Sequence, residues 1–135
     1  MSEFKISYKG ELRTEIEHLD SSVKIITDAP KDNQGLGRSF SPTDLVASSL
    51  ASCMITIIGI ANRTHKMDIE HMDARVSKVM SDNPPRRISE IYLSINITGP
   101  LNAKYRTIIE RAAHTCPVHN SLHPDIKIKL SFIYT

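Results

Sequence analysis

"LVASSLASCMITIIGIA", Leu45 to Ala61, runs for seventeen residues without a charge. That is the lower limit for crossing a bilayer. The stretch carries three serines, a threonine and a glycine, and aromatic or basic anchors are sparse at its ends. A membrane span would be expected to carry such anchors. The reading is therefore a core helix of a soluble domain, with no membrane partner. In front of it stands "SPTD", where Ser41 suits the N-cap, Pro42 the first helical position, and Asp44 completes a capping-box pattern. The helix is predicted to run to about Arg63. It is apolar on nearly all sides, so it must be covered on nearly all sides. A chain of 135 residues covers such a helix poorly alone. Pairing with a second copy, a homodimer, is expected.

Upstream, "FKISYKG" and "LRTEIEH" alternate in character, and "VKIITDAP" closes at a proline, so three strands are predicted. Ala29 to Ser39 is a loop of turn residues, with Gly35 and Gly37 giving it freedom. Downstream, "DIEHMDARVSKVM" and "RISEIYLSINITG" read as two long strands joined by a turn at "SDNPPR". Gly99-Pro100 opens a second helix, with Leu101, Tyr105, Ile108, Ile109 and Ala112 on one face. "IKIKLSFIYT" is a last strand. The order β-β-β-α-β-β-α-β makes an α+β fold, with antiparallel sheets around two central helices. No repeat, low-complexity tract or linker divides residues 1–135, so a single domain is expected.

Bulk composition agrees: 40% hydrophobic and 24% charged residues fit one soluble domain with a real core. A net charge of +2, with no Trp platform, argues against a nucleic-acid partner. The start of the chain lacks a basic segment followed by an apolar run, so no signal peptide is expected. Two cysteines in that context point to a reducing, cytoplasmic compartment and against a standing structural disulfide.

The chemistry gathers around those cysteines. "AAHTCPVHNSLH", Ala112 to His123, holds His114, Cys116, His119 and His123. These are ligand types for zinc, but their spacing matches no standard pattern, and the histidines read better as surface or capping groups. A reactive thiol needs a nearby cation or a helix N-terminus. Cys53 has neither in its local sequence, where Leu50, Ala51, Met54 and Ile57 surround it. It is either an inert core cysteine or a thiol served by a cation from elsewhere in the fold.

"SPTDLVASSLASC", residues 41–53, and "CPVHN", residues 116–120, resemble the two cysteine signatures of the OsmC/Ohr family of osmotically induced and organic hydroperoxide resistance proteins. The order of elements is similar over essentially the whole chain. The resemblance implies an intertwined homodimer with sites at the subunit interface, and a peroxidase acting on organic, apolar hydroperoxides without metal or cofactor. It implies that Cys53 is the peroxidatic thiol, oxidised to a sulfenic acid, and Cys116 the resolving one. Their disulfide would be reduced by a dithiol such as a lipoylated protein. It further implies an activating arginine from an early strand. Arg13 looks like that residue, with Arg38 as the rival, and a surface pairing with Glu11 or Glu15 as the plain alternative.

One position departs from the family. Ten residues before Cys53, where hydroperoxide reductases of the family carry a glutamate, stands Thr43. The neighbouring acid, Asp44, would lie about 13 Å along an unbroken helix from Cys53. It could orient an arginine but not touch the thiol, and a helix N-terminal role suits it better. The departure keeps a second reading open, a non-catalytic protein that binds or senses an apolar ligand in the same cleft.

Overall fold

Three antiparallel strands, β1 (Phe4–Gly10), β2 (Arg13–His18) and β3 (Lys24–Asp28), open the chain in the computed structural model, which describes every residue from Met1 to Thr135. They belong to the first of two compact units, residues 1–46 and 47–135. The register places Ile6, Ile16 and Ile25 side by side, as it does Tyr8, Thr14 and Thr27. Because strand side chains alternate between faces, Phe4, Ile6, Tyr8, Ile16 and Ile25 make one face apolar. Lys5, Glu15, Glu17 and Lys24 make the other charged, and Arg13 and Asp28 stand opposite each other there. The apolar face is open: Ile6 is 59% and Tyr8 67% exposed.

The turn from β1 to β2 is tight. Glu11 and Leu12 both hold positive φ, 53° and 62°. Two such residues form the mirror-image turn whose twist matches a hairpin. A leucine pays a steric cost there that glycine would not. The Leu12 N–H donates to the Tyr8 hydroxyl at 3.2 Å, and the Leu12 carbonyl accepts from Ala29 N–H at 3.1 Å. The loop after β3 begins with a short 3-10 turn, Lys31–Asn33, and Gly35 presses so close to the Ala29 carbonyl that a Cβ there would collide with it.

Helix α1 (Pro42–His65) starts as the sequence indicates. The Ser41 hydroxyl accepts from Asp44 N–H at 3.1 Å, and the Asp44 carboxylate accepts from Ser41 N–H at 2.9 Å. The boundary between the units falls inside this helix. By length and composition α1 could cross a membrane, yet Ala47, Leu50, Ala51, Met54 and Ile58 are buried in the core of the second unit. These positions recur at helical spacing and form one stripe. Ile60, off that stripe, is 55% exposed.

The second unit continues with β4 (His71–Met80), β5 (Ile88–Thr98), α2 (Ala103–His114), α3 (Pro117–Ser121) and β6 (Lys127–Tyr134). Ile91, Leu93, Ile95 and Ile97 of β5 meet the α1 stripe, Ile109 and Ala113 of α2, and Cys116 in one apolar core. The α+β class with two sheets and two long helices stands. Two details differ from the expected pattern. The sheet β4-β5-β6 is mixed, because β6 pairs parallel to β5. The helical crossover between β5 and β6 permits this, since parallel neighbours need a long connection. The second detail is α3, a five-residue helix within the Cys/His segment that the expected order did not include. Helix α2 is capped by Asn102, whose side chain accepts from Tyr105 N–H at 2.9 Å, two residues past the expected Pro100.

Candidate active site

The second unit brings the two cysteines together. Cys53 lies one turn after Leu50 on α1, half-buried at the edge of the buried stripe. Cys116 sits between α2 and α3 and is fully buried, and Cys53 packs against the same core. Both thiols are free. Burial pushes the Cys116 thiol above its ordinary value, and the neighbouring Cys53 thiol pushes it the same way. Backbone N–H groups of His119 and Val118 oppose that rise, and the His119 N–H reaches the Cys116 sulfur at 3.5 Å. Pro117, just after the thiol, occupies the first helical position of α3, where its missing N–H costs nothing.

The histidines around Cys116 do not form a ligand set. No three His, Cys, Asp or Glu side chains gather as a metal-binding group. His114 and His119 meet edge to face with ring centroids 6.1 Å apart. His119 Nδ1 is buried without a hydrogen-bond partner. His123 turns to its own loop, where its Nδ1 accepts from Asp125 N–H at 3.1 Å.

The first unit holds the arginines. Arg38 is committed: its backbone N–H and its Nε both donate to Asp28 Oδ2, at 2.9 and 2.8 Å, and its Nη2 lies 3.9 Å from Glu11. Asp28 is completely buried, and the Arg38 contacts hold its carboxyl below the usual carboxylate range, with the charge of Arg13 contributing. The cross-strand neighbour Arg13 is different. Glu15 pairs with Lys9, at 3.8 Å, and Glu11 with Arg38, so neither makes the surface pair considered for Arg13. Arg13 Nε is buried and makes no hydrogen bond. Asp44 serves the capping box, and Thr43 lies within hydrogen-bond reach of the Ser41 hydroxyl, 3.2 Å away. Asp28 escaped the sequence reading because it looks like an ordinary strand-end aspartate. An acid closing an apolar strand just before a glycine loop that carries an arginine was the available signal.

A family model described as OsmC-like protein matches residues 32–131, well over half of the chain. A protein of Psychrobacter arcticus 273-4, assigned by name alone to osmotic stress induction and the detoxification response, has 51% identity and a TM-score of 0.91, with 98% of this chain and 96% of that one covered. An organic hydroperoxide resistance protein OsmC of Legionella pneumophila has 21% identity and a TM-score of 0.80 over 98% and 96% of the two chains. An OsmC-like protein of Mycoplasma pneumoniae has 20% identity and a TM-score of 0.84 over 100% and 97%. The last two, at such identities, speak for the fold alone. A search of curated proteins returns no match.

Proposed function

The chain belongs to the OsmC-like protein family, and on that premise we propose that it is a cytoplasmic thiol peroxidase that reduces organic hydroperoxides to alcohols. The observation that carries the reading is that the two free thiols are neighbours: Cys53 packs against the core that holds Cys116, close enough to push the Cys116 pKa up. Two neighbouring free thiols can exchange a sulfenic acid for a disulfide without a large rearrangement.

The Cys53 thiolate attacks the terminal oxygen of the hydroperoxide, and the O–O bond breaks. The alkoxide takes a proton and leaves as the alcohol, with Cys53 now a sulfenic acid. Cys116 attacks the Cys53 sulfur, the S–S bond forms, and the hydroxyl leaves with the Cys116 proton as water. A dithiol, such as a lipoylated protein, returns two electrons and two protons and becomes a disulfide itself. Arg13 is taken as the cation that serves Cys53 and the peroxide, as the family resemblance implies, and the tie of the rival Arg38 to Asp28 supports that choice. Asp44 acts through the start of α1 rather than on the thiol. Ile57, one turn on from the half-buried Cys53 and itself only partly buried, favours an apolar substrate over hydrogen peroxide.

The same reading includes a homodimer. The open apolar face of the β1-β2-β3 sheet and the exposed Ile60 of α1 are the surfaces a second copy would cover.

The test is intact mass and a thiol count after one equivalent of tert-butyl hydroperoxide, on wild type, Cys53→Ser and Cys116→Ser. The expected result is a Cys53–Cys116 disulfide in wild type and a sulfenic acid on Cys53 in Cys116→Ser. If both thiols of folded wild type survive, the peroxidase reading fails, and binding of an apolar ligand, which Thr43 at the glutamate position favours, takes its place.

A further inference from the structure

Asp28 and Arg13 carry complementary orphans. Asp28 is a completely buried carboxylate whose Oδ2 takes both donors of Arg38, while its Oδ1 has no partner. Arg13 Nε, a buried donor, has no partner either. The two residues are direct neighbours across the β2–β3 ladder and share one face of the sheet. A buried acceptor and a buried donor, each unpaired, are costly features, and native structures keep few of them. Here the two lie on adjacent residues of opposite charge, and one hydrogen bond between them would satisfy both.

The backbone around them is held firmly. Arg13 follows directly on Glu11 and Leu12, two non-glycine residues in the left-handed region. Leu12 is pinned by its bonds to Tyr8 and Ala29, and Asp28 N–H is bonded to the Phe40 carbonyl at 3.0 Å. Strained backbone that the surroundings over-determine collects at functional sites. The strain sits at the entry to the strand whose first residue is Arg13.

We propose that Asp28 is a positioning residue, the carboxylate that sets the orientation of the Arg13 guanidinium through a bond from Arg13 Nε–H to Asp28 Oδ1. Arg38 holds the other oxygen and keeps the carboxylate ionised and fixed, so Asp28 presents a constant acceptor. A bond at Nε leaves the two terminal nitrogens of Arg13 available for a substrate oxygen or a thiolate. The inference rests on the reading of Arg13 as the cation that serves Cys53, and its test separates the two.

The Arg13 Nε–H resonance, assigned in a 15N-edited spectrum by its loss in Arg13→Lys, reports the bond without reference to activity. The expected result is slow solvent exchange in wild type and fast exchange in Asp28→Asn. Fast exchange already in wild type overturns the proposal, whether or not Asp28→Asn folds. Slow exchange that Asp28→Asn leaves unchanged overturns it too. The second readout is the rate at which tert-butyl hydroperoxide consumes the thiols of Asp28→Asn, Arg13→Gln and the double variant. Each single substitution is expected to slow the reaction about tenfold or more, with the double no slower than Arg13→Gln, because Asp28 acts through Arg13. A multiplicative loss in the double, or an Asp28→Asn rate within about twofold of wild type, overturns the positioning role. Arg13→Gln reacting at the wild-type rate would remove the peroxidase role of Arg13 and with it the functional half of the proposal. The exchange measurement would still decide whether Asp28 holds Arg13.

Discussion

The Cys116 thiol is fully buried in the core against which Cys53, a half-buried residue on a different element, packs. Burial first, and the neighbouring Cys53 thiol after it, raise the Cys116 pKa above its ordinary 9.0, so the native state favours the neutral thiol. The stabilisation is complete below the unfolded-state value and is lost as pH rises through the native one. Urea midpoints of wild type should therefore decline above about pH 9.0 more steeply than those of Cys116→Ala. Parallel curves would show that Cys116 does not titrate differently in the two states.

Asp28 has the opposite sign. The hydrogen bonds from Arg38 hold its carboxyl below the ordinary 3.8. Its stabilisation is present above the unfolded value and is lost as pH falls below it through the native value. Amide exchange at Arg38, whose N–H is bonded to Asp28 Oδ2, should accelerate in that acid window. In Asp28→Asn the same amide should exchange fast at neutral pH, with little further change on acidification.

Leu12 occupies a conformation that glycine adopts freely. Leu12→Gly is expected to raise the stability of the first unit by about 1 kcal/mol, the lower end of the left-handed penalty. The Leu12 side chain is 45% exposed, so little packing is lost. Urea unfolding of the two proteins measures the difference. A destabilised Leu12→Gly would mean that the exposed side chain is covered by something else, such as a second copy.

The homodimer has a direct test. Light scattering should give twice the 15.1 kDa chain mass for wild type. Ile6→Glu places a charge in the middle of the open apolar face, next to Ile16. It should shift the mass to 15.1 kDa or reduce solubility, while Lys5→Glu on the opposite face should leave the dimer intact. A monomeric wild type would leave the apolar face and Ile60 needing another explanation.

Short-range features were legible in the chain because a few contiguous residues carry them. Ser41, Pro42 and Asp44 announced the start of α1, and the structure forms that capping box. All six strands are legible, the first two by alternation and the third by its closing proline, and the two cysteine signatures point to the family that the comparisons support. The start of α2 was misplaced by two residues, because Gly99-Pro100 is a strong local breaker while Asn102 makes the actual cap.

The order of residues along the chain sets the inventory: which segments are strands, where α1 begins, and which residues carry reactive groups. How these pair is settled by the folded arrangement. The parallel return of β6, the meeting of Cys53 and Cys116 at one core, and the capture of Arg38 by Asp28 with Arg13 Nε left without a partner all join residues distant in the chain. Such pairings depend on strand register, on crossover geometry and on which buried donors and acceptors find each other. Local spacing encodes none of these, since side chains far apart in the chain meet only after the core has closed.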